Sequence, residues 1–441
     1  MKLFDYQQQA LEHVAGKTHC AFYHDMGLGK TYTGSEKLRS LGLRVNLVIC
    51  QKSKVNDWLR HFKSNYPEWN VYDLTNKVES TFYYWGAIDH QENYREDQPQ
   101  VGVINYDLVW RRNGLLDLKD FAVMFDESSL LQNPTSKRTK FSTRIVEKAS
   151  AVVLLSGTPT DGKYEQLWTQ MHMLGWEISH DMFWQHYVDF EWDTSEGFPI
   201  KKVKGYKNED RLVKKMKSYG CDFLKTEEVL ELPEQRFVTV KVRWTREYAD
   251  FVRDGIVEVE GKEFVGDSTF ADMLNRRLLA GAYSKDKLNA FADVLDSTND
   301  RIVVFYNFND ELSRLKKVTK GKNRLYSEVN GSAHDLTLFE ENDNAIVFVQ
   351  YQAGAMGLNL QAAHYAVYFS PPLMSSLFEQ SKKRIHRVGQ DLPCTYYMLV
   401  SDKTIEQQIY ATLAKRRDYT EQLFERSAKL LWQARRISIT S

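Results

Sequence analysis

Short, wholly apolar runs recur along the chain with helix-like stretches between them, and they form two series. The first series comprises CAFY at 20–23, VNLVIC at 45–50, VGVI at 101–104, FAVMF at 121–125 and AVVLL at 151–155. The second comprises IVVFY at 302–306, AIVFV at 345–349, YAVYF at 365–369 and YYMLV at 396–400. Apolar runs of this length are typical of parallel strands that are buried on both faces. The alternation therefore predicts an α/β fold with two lobes, each built on a parallel sheet.

The segments outside the two series set the predicted domain boundaries. Residues 166–283 mix aromatic and charged residues around one strand-like run, RFVTVKV at 236–242, so we expect mainly helical insertions there. Residues 403–441 carry Ile and Leu at helical spacing among charged residues, which predicts a C-terminal helical extension. The predicted lobes then span 1–165 and 284–402.

Composition narrows the class of protein. The chain has 441 residues, 42% of them hydrophobic and 27% charged, which suits two or three folded domains. Lys plus Arg equals Asp plus Glu, at 59 each, so a polyanion site must depend on local patches. The four cysteines are isolated, which favours buried thiols over disulfides or zinc ligands. With no apolar signal core and no membrane-length run, we expect no membrane association and a cytoplasmic location, a bacterial or phage-like context being favoured and a nuclear one left open.

The segment HDMGLGKT at 24–31 follows the first apolar run and precedes a helix-like stretch. Phosphate-binding loops have this context, because glycines let backbone N–H groups turn towards phosphate oxygens at a helix N-terminus. Lys30 is expected to reach the β- and γ-phosphates of ATP, and Thr31 to bind Mg²⁺. His24 stands where the general motif has glycine. The predicted nucleotide contacts of this loop are Asp25, Gly27, Gly29, Lys30 and Thr31.

Two further turns follow apolar runs and should lie at the same edge of the sheet. Asp126 and Glu127 end the run FAVMF, and we expect Asp126 to hold Mg²⁺ through water while Glu127 orients and deprotonates the attacking water. Thr158, in the turn SGTP after AVVLL, can sense the phosphate. Taken alone, the acidic pair is equally a solvated turn and SGTP is more often an ordinary Gly-Pro turn. The pairing with Lys30, about 95 residues before the acids, favours the catalytic interpretation of Asp126 and Glu127.

Together these residues resemble the Swi/Snf-like branch of superfamily two helicases, whose motifs occur here in the correct order over most of the chain. The matching segments of the first half are LFDYQ at 3–7, DMGLGKT at 25–31, CQKS at 50–53 followed by Trp58, Asn105-Tyr106, Asp126-Glu127 with QNPTSK at 132–137, and LLSGTPTDGKYEQLW at 154–168. The resemblance implies two RecA-like lobes, with Gln7 reading adenine. It also implies that Lys52, Ser53 and Tyr106 contact nucleic acid.

The second half continues the resemblance. Its matching segments are SKDKLNAF at 284–291, IVVFYNF at 302–308, AGAMGLNL at 353–360 and the motif Q-x-x-x-R-x-H-R-x-G-Q, which runs from Gln380 to Gln390. The resemblance implies that Gly357 and Gln380 bind nucleotide and that Gln352 contacts nucleic acid. Arg384 and Arg387 would reach across a cleft to the γ-phosphate, neutralising charge in the transition state.

Two positions depart from the family pattern. The acidic box normally continues to a histidine, and the corresponding residue is Ser129. Lys383 stands where many members carry an acid before the first arginine. Neither change removes a group that hydrolysis needs, but Ser129 is expected to alter how the γ-phosphate is coupled to the second lobe.

The resemblance implies a DNA translocase that depends on ATP and Mg²⁺, with duplex DNA as the expected partner and single strands or RNA as alternatives. Two other functions stay open. One is a strand-separating DNA or RNA helicase of the same superfamily. The other is a weakly hydrolysing, nucleotide-gated DNA clamp. This alternative rests on Ser129, which stands in place of the usual histidine.

Overall fold

The chain forms two compact units that divide between Val229 and Leu230. The computed structural model describes residues 2–88, 98–194, 199–354 and 358–416. Residues 166–283, expected to form a mainly helical region between the lobes, are shared by the two units and contain strands as well as helices. Two of these strands lie at edges of the seven-stranded sheets of the two units, and one of the two contains the strand-like run RFVTVKV.

The first unit alternates strands and helices. Its described strands are β1 (His19–His24), β2 (Val45–Cys50), β3 (Asn70–Asp73), β4 (Gln100–Asn105), β5 (Phe121–Asp126), β6 (Ala151–Ser156), β7 (Val188–Asp193), β8 (Ile200–Tyr206) and β9 (Cys221–Leu224). Its described helices are α1 (Asp5–His13), α2 (Lys30–Leu41), α3 (Val55–Asn65), α4 (Lys77–Ile88), α5 (Tyr106–Val109), α6 (Lys137–Val146), α7 (Leu167–Met173), α8 (His180–Tyr187) and α9 (Glu209–Ser218). The five apolar runs of the first series are all strands, as predicted.

Seven of these strands form one parallel sheet in the order β3-β4-β2-β5-β6-β1-β9, while β7 and β8 form a separate antiparallel hairpin. Both faces of the sheet are buried. In β2, for example, Leu47 and Ile49 pack into one hydrophobic cluster and Val48 and Cys50 into another. Helices cover a parallel sheet on both faces, which explains why the strands read as continuous apolar runs.

The second unit repeats this architecture. Its described strands are β10 (Gln235–Val242), β11 (Ile256–Val259), β12 (Lys262–Val265), β13 (Ile302–Tyr306), β14 (Tyr326–Val329), β15 (His334–Asp335), β16 (Ile346–Gln350), β17 (Tyr365–Tyr368) and β18 (Cys394–Ser401). Its described helices are α10 (Arg246–Asp254), α11 (Thr269–Ala280), α12 (Lys285–Ser297), α13 (Asn309–Gly321), α14 (Thr337–Glu341), α15 (Tyr351–Gly354), α16 (Ser375–Lys382) and a final helix over 405–416.

Seven strands of this unit form a second sheet in the order β10-β18-β17-β13-β16-β14-β15, in which only β15 runs antiparallel to its neighbour. The strands β11 and β12 form a hairpin. The four apolar runs of the second series are strands of this sheet, and RFVTVKV is its edge strand β10. These findings confirm the predicted α/β fold with two parallel sheets. The part of the extension after residue 416 lies outside the described residues.

The four cysteines are buried thiols. Across the described ranges, no helix combines the length and the apolar character that crossing a bilayer demands.

A buried ion pair fastens the final helix to the second unit. Lys287 in α12 donates from Nζ to both carboxylate oxygens of Glu406, at 2.5 and 2.6 Å, and the two side chains are 0% and 2% exposed. Glu406 also accepts from the backbone N–H of Ser401 at 2.9 Å. Removing one member of such a pair leaves a charge buried without compensation, whereas replacing both by apolar residues is often close to neutral.

We expect Glu406→Leu to lower the free energy of unfolding by about 3–5 kcal/mol, because Lys287 then stays buried without its carboxylate. The double variant Lys287→Met with Glu406→Leu should recover most of the loss. Urea denaturation of the full chain measures both. Equal midpoints for the single variant and the wild type would show that the pair does not fasten the helix.

Candidate nucleotide-binding site

The segment between β1 and α2 has the geometry of a phosphate-binding loop. Gly27 has φ of 88° and Gly29 has φ of 70°, in the left-handed region that favours glycine. Gly29 is also the N-cap residue directly before α2, so the N–H groups of the first helical turn lie at the end of the loop. Backbone N–H groups at such a helix end attract anions.

Lys30 reaches back across this loop. Its Nζ donates to the carbonyl oxygens of His24 at 2.8 Å and Asp25 at 3.1 Å. The turn after β6 lies against it, since a Cβ placed on Gly157 would be 3.4 Å from Lys30 Nζ and 3.0 Å from Met26 Cγ. A glycine at this point lets the SGTP turn approach the ammonium group closely. The sequence prediction that these two segments share one sheet edge is therefore confirmed by their positions.

His24 occupies the position where the general motif has glycine because it belongs to the strand rather than to the turn. It is the last residue of β1, 0% exposed, and its Nε2 lies 2.7 Å from Oδ2 of Asp222 in β9. The other carboxylate oxygen of Asp222 lies 2.8 Å from Nδ1 of His13 at the end of α1. Burial raises the pKa of Asp222, but the two imidazoles lower it. Together the imidazoles outweigh burial, so the pKa lies below its usual value. Asp222 therefore holds the start of the loop in place.

The segment after β9 also contacts the loop directly. Asp25 accepts from the N–H and the hydroxyl of Thr226, both at 3.1 Å, and its own N–H donates to the carbonyl of Leu224 at 2.9 Å. Sequence reasoning missed Asp222 and Thr226, because about 200 residues separate them from the loop and β9 lacks a clear apolar pattern. The role predicted for Asp25 as a nucleotide contact remains a prediction, and the structure shows it anchoring the loop.

Gln7 contacts the end of the loop that leads into α2. It is 2% exposed, and its Nε2 donates to the carbonyls of Leu28 at 3.2 Å and Gly29 at 3.3 Å. A Cβ on Gly29 would lie 2.5 Å from this nitrogen, so glycine is also required by the approach of Gln7. The amide oxygen accepts from the N–H of Phe4 at 3.0 Å. Gln7 therefore touches the loop from the start of α1, which is consistent with a place beside the nucleotide.

Asp126, at the end of β5, is held by two aromatic residues. Trp58 Nε1 donates to its Oδ2 at 2.8 Å, and the hydroxyl of Tyr106 donates to its backbone carbonyl at 2.8 Å. Burial raises the pKa of Asp126, while the Trp58 hydrogen bond and the charges of Lys30 and Lys54 lower it. The lysine of the loop is thus close enough to influence the carboxylate electrostatically.

The oxygen donors at this edge suit a magnesium ion. Among the described residues, no group of three His, Cys, Asp or Glu side chains could hold a metal ion. The predicted donors are the hydroxyl of Thr31 in the first turn of α2 and the carboxylate of Asp126 at the end of β5. Magnesium is commonly held by one or two protein oxygens together with substrate phosphates, so this set fits Mg²⁺ bound with ATP. The ion would neutralise charge on the phosphates.

Glu127 has a backbone conformation that is unusual for its residue type. Its φ is 53°, in the left-handed region, and a short helical turn, Ser128–Leu131, begins directly after it. Such local strain concentrates at functional sites. Ser129, which replaces the usual histidine, is 8% exposed inside this turn.

Gln170 in α7 connects three strand ends around the site. Its amide oxygen accepts from the hydroxyls of Tyr23 in β1 at 3.2 Å and Ser128 at 2.8 Å. Its amide nitrogen donates to the carbonyl of Pro159 at 2.6 Å. The side chain is 0% exposed. It therefore ties the acidic turn to the SGTP turn, a link that the motifs did not reveal.

The predicted nucleic-acid contacts of the first unit divide into two groups. Lys52 is exposed and Ser53 half-buried, in a short helical turn directly before α3. Tyr106 is only 2% exposed, and its hydroxyl is engaged by Asp126. The nucleic-acid role of Tyr106 remains a prediction, while the structure places its side chain in the hydrophobic core.

The second unit carries the arginine motif in the turn after α16. Arg384 is 3% exposed, and Arg387 donates to Oδ1 of Asn359 at 2.5 Å. Gln390 caps the turn through hydrogen bonds to three carbonyls, those of Gln361, Ala363 and Ile385, at 2.9–3.2 Å. The motif is thus a folded turn of defined shape.

The other predicted residues of this unit are Gln380, Gln352 and Gly357. Gln380 is 9% exposed in α16, and Gln352 is exposed on α15. Gly357 lies outside the described residues. The nucleotide role of Gln380 and the nucleic-acid role of Gln352 remain predictions.

Comparison with known proteins places the chain in a family. The model of the SNF2-related domain matches residues 6–253, and that of the helicase conserved C-terminal domain matches residues 286–389. A solved structure described as the SWI2/SNF2 ATPase core of Sulfolobus solfataricus in complex with dsDNA is similar over 97% of this chain and 94% of that chain, with 18% identity and a TM-score of 0.44.

Curated relatives are similar to the chain at low identity. The SWI/SNF-related matrix-associated actin-dependent regulator of chromatin subfamily A-like protein 1 of Drosophila melanogaster is 23% identical over 424 residues, which are 92% of this chain and 53% of that protein. The uncharacterized ATP-dependent helicase MG018 of Mycoplasma genitalium is 20% identical over 414 residues, 87% of this chain and 38% of that protein. The chain therefore spans about half or less of the length of these relatives. Because the SNF2-related model alone matches more than half of its residues, the chain belongs to the SNF2-related ATPases of helicase superfamily two.

Proposed function

We propose that the chain is an ATP-driven motor that hydrolyses ATP on binding duplex DNA and remodels DNA or DNA-bound protein. The observation that carries this proposal is that a phosphate loop with Lys30, an acidic strand end and a glycine turn meet at one edge of the first sheet. Supporting it, curated relatives bear the names of chromatin regulators and of an ATP-dependent helicase.

In the proposed reaction, the loop N–H groups and Lys30 bind the phosphates of ATP, while Thr31 and Asp126 hold the accompanying magnesium. Glu127 orients the attacking water and accepts its proton. Gln7 positions the nucleotide from the start of α1. Within the first unit, charge that develops on the γ-phosphate is stabilised by donors that the loop already holds close together.

Arg384 and Arg387 are proposed to supply positive charge to the γ-phosphate when the second lobe closes on bound ATP. Support comes from the match to Q-x-x-x-R-x-H-R-x-G-Q and from the folded turn that holds both arginines. Lys52, Ser53 and Gln352 would contact phosphates of the DNA backbone. Such contacts carry little sequence information, as a translocating motor requires.

The first prediction of this proposal concerns which nucleic acid stimulates ATP hydrolysis. We expect duplex DNA to stimulate ATP hydrolysis more than single-stranded DNA or RNA does, since the proposed motor tracks a duplex backbone. Steady-state phosphate release with each polymer measures this. Stronger stimulation by single strands or RNA would favour the strand-separating helicase, and binding of DNA without hydrolysis would favour the clamp.

The second prediction concerns Lys30. Lys30→Ala should lower duplex-stimulated kcat by about 100-fold or more, because it removes the donor proposed to bind the transferred phosphate. The exposed lysine of α3 provides the control, and Lys63→Ala should hydrolyse ATP like the wild type. Comparable rates for the two variants would refute the assignment of the site.

The third prediction concerns the arginine motif. Arg387→Ala should lower kcat by about 10³-fold, the scale of an arginine that neutralises the γ-phosphate, while ATP binding is retained. Arg246→Ala is the control in the same unit, since that side chain is 92% exposed on α10. Binding of a fluorescent ATP analogue separates the steps. A variant that hydrolyses normally would remove Arg387 from the catalytic machinery.

A further inference from the structure

Asp126 is held by donors from two different elements. Trp58 lies in α3 and donates to the carboxylate, whereas Tyr106 begins α5 and donates to the backbone carbonyl, each at 2.8 Å. Both aromatic side chains are 2% exposed. Because one contact fixes the side chain and the other the main chain, the position of the acid depends on where α3 and α5 lie.

The turn that bears the proposed DNA contacts continues directly into α3. The short helical turn spans Lys52–Lys54 and α3 begins at the next residue, so that Trp58 is six residues from Lys52. Lys54 forms an ion pair with Asp57 at 2.9 Å, which ties the turn to the first turn of the helix. A displacement at Lys52 and Ser53 is therefore transmitted along a short, hydrogen-bonded piece of backbone.

The side chain of Trp58 packs against two aromatic residues of its own helix, α3. The Trp58 ring stacks on Phe62 at 5.8 Å and meets His61 edge-on at 5.7 Å. His61 in turn lies 2.9 Å from the hydroxyl of Ser35 in α2, the helix that begins at Lys30. Close-packed aromatic contacts of this kind transmit displacement because they cannot deform without losing contact. The helix thus links the exposed turn both to Asp126 and to the helix of the phosphate loop.

We propose that Trp58 and Tyr106 are positioning residues that couple DNA binding at Lys52 and Ser53 to the magnesium carboxylate Asp126, so that duplex DNA tightens the site for ATP with magnesium. This inference rests on the proposed function, which supplies the DNA contact. Coupling between two binding sites is reciprocal, so bound nucleotide tightens the duplex by the same factor.

The experiment measures this factor by binding, without hydrolysis. The full chain is titrated with a fluorescent non-hydrolysable ATP analogue in Mg²⁺, with and without duplex DNA, and duplex affinity is measured by anisotropy with and without the analogue. In Tyr106→Phe, only the hydroxyl is lost, and we expect the duplex-induced tightening to shrink by about fivefold, the value of one ordinary hydrogen bond. Duplex affinity without nucleotide should stay at the wild-type value.

Tyr83→Phe is the matched control for Tyr106. Tyr83 is also fully buried against the same sheet, and its hydroxyl donates at 2.9 Å to the carbonyl of Asn46, away from Asp126.

The second pair of variants is Trp58→Phe and its control Trp69→Phe. Both indoles stack on Phe62, but of the two only Trp58 donates to Asp126. We expect Trp58→Phe to raise the Mg²⁺ concentration for half-maximal analogue binding, and Trp69→Phe to leave it unchanged.

The outcomes separate the inference from the proposed function. Weaker coupling in Tyr106→Phe and a higher Mg²⁺ requirement in Trp58→Phe, with wild-type values in both controls, support the inference. Wild-type values of both quantities in all four variants overturn it, while duplex-stimulated hydrolysis and the motor stand. If the wild-type chain binds duplex and nucleotide without mutual tightening, the inference is also overturned. If the chain binds no duplex DNA, both the proposed motor function and the proposed coupling are wrong.

Discussion

The parallel register of β1, β6 and β5 is the constraint on which the rest of the candidate site depends. Tyr23 pairs with Ser156, and Leu155 pairs with Asp126, so three strands end at nearly the same level. Their following turns carry the phosphate loop, SGTP and Glu127. Because all strands run in one direction, their carboxyl ends meet at one edge, where open α/β sheets bind ligands.

Around that edge, hydrogen bonds from distant segments determine the shape of each turn. Asp222 holds His24, Thr226 holds Asp25, Gln170 joins the acidic turn to SGTP, and Trp58 with Tyr106 holds Asp126. These partners are buried or nearly so, and a buried polar group that loses its partner costs about 1–3 kcal/mol. The turns are therefore pre-organised before any phosphate arrives, which is the condition for electrostatic stabilisation of a transition state.

The strand β9 shows why a lobe boundary was harder to predict than the strands. It pairs with β1 from Ala21 to His24 and completes the first sheet, yet it lies within the region expected to be an insertion. Four residues, CDFL, carry too little pattern to distinguish an edge strand from a loop. The longer strand β10 does carry a strand-like pattern, RFVTVKV, but only its pairing with β18 shows that it belongs to the second sheet.

The sequence by itself determined the two-sheet α/β fold and the family, because buried parallel strands leave continuous apolar runs and the motifs lie in local segments such as HDMGLGKT and the turn from Arg384 to Gln390. It also determined that Lys30 and Asp126 belong to one edge. Only the tertiary structure decided that Tyr106 is buried, that His24 is paired with Asp222 and that Trp58 reaches Asp126. Such contacts join residues that are 20 to about 200 positions apart, and chain folding rather than local pattern brings them together.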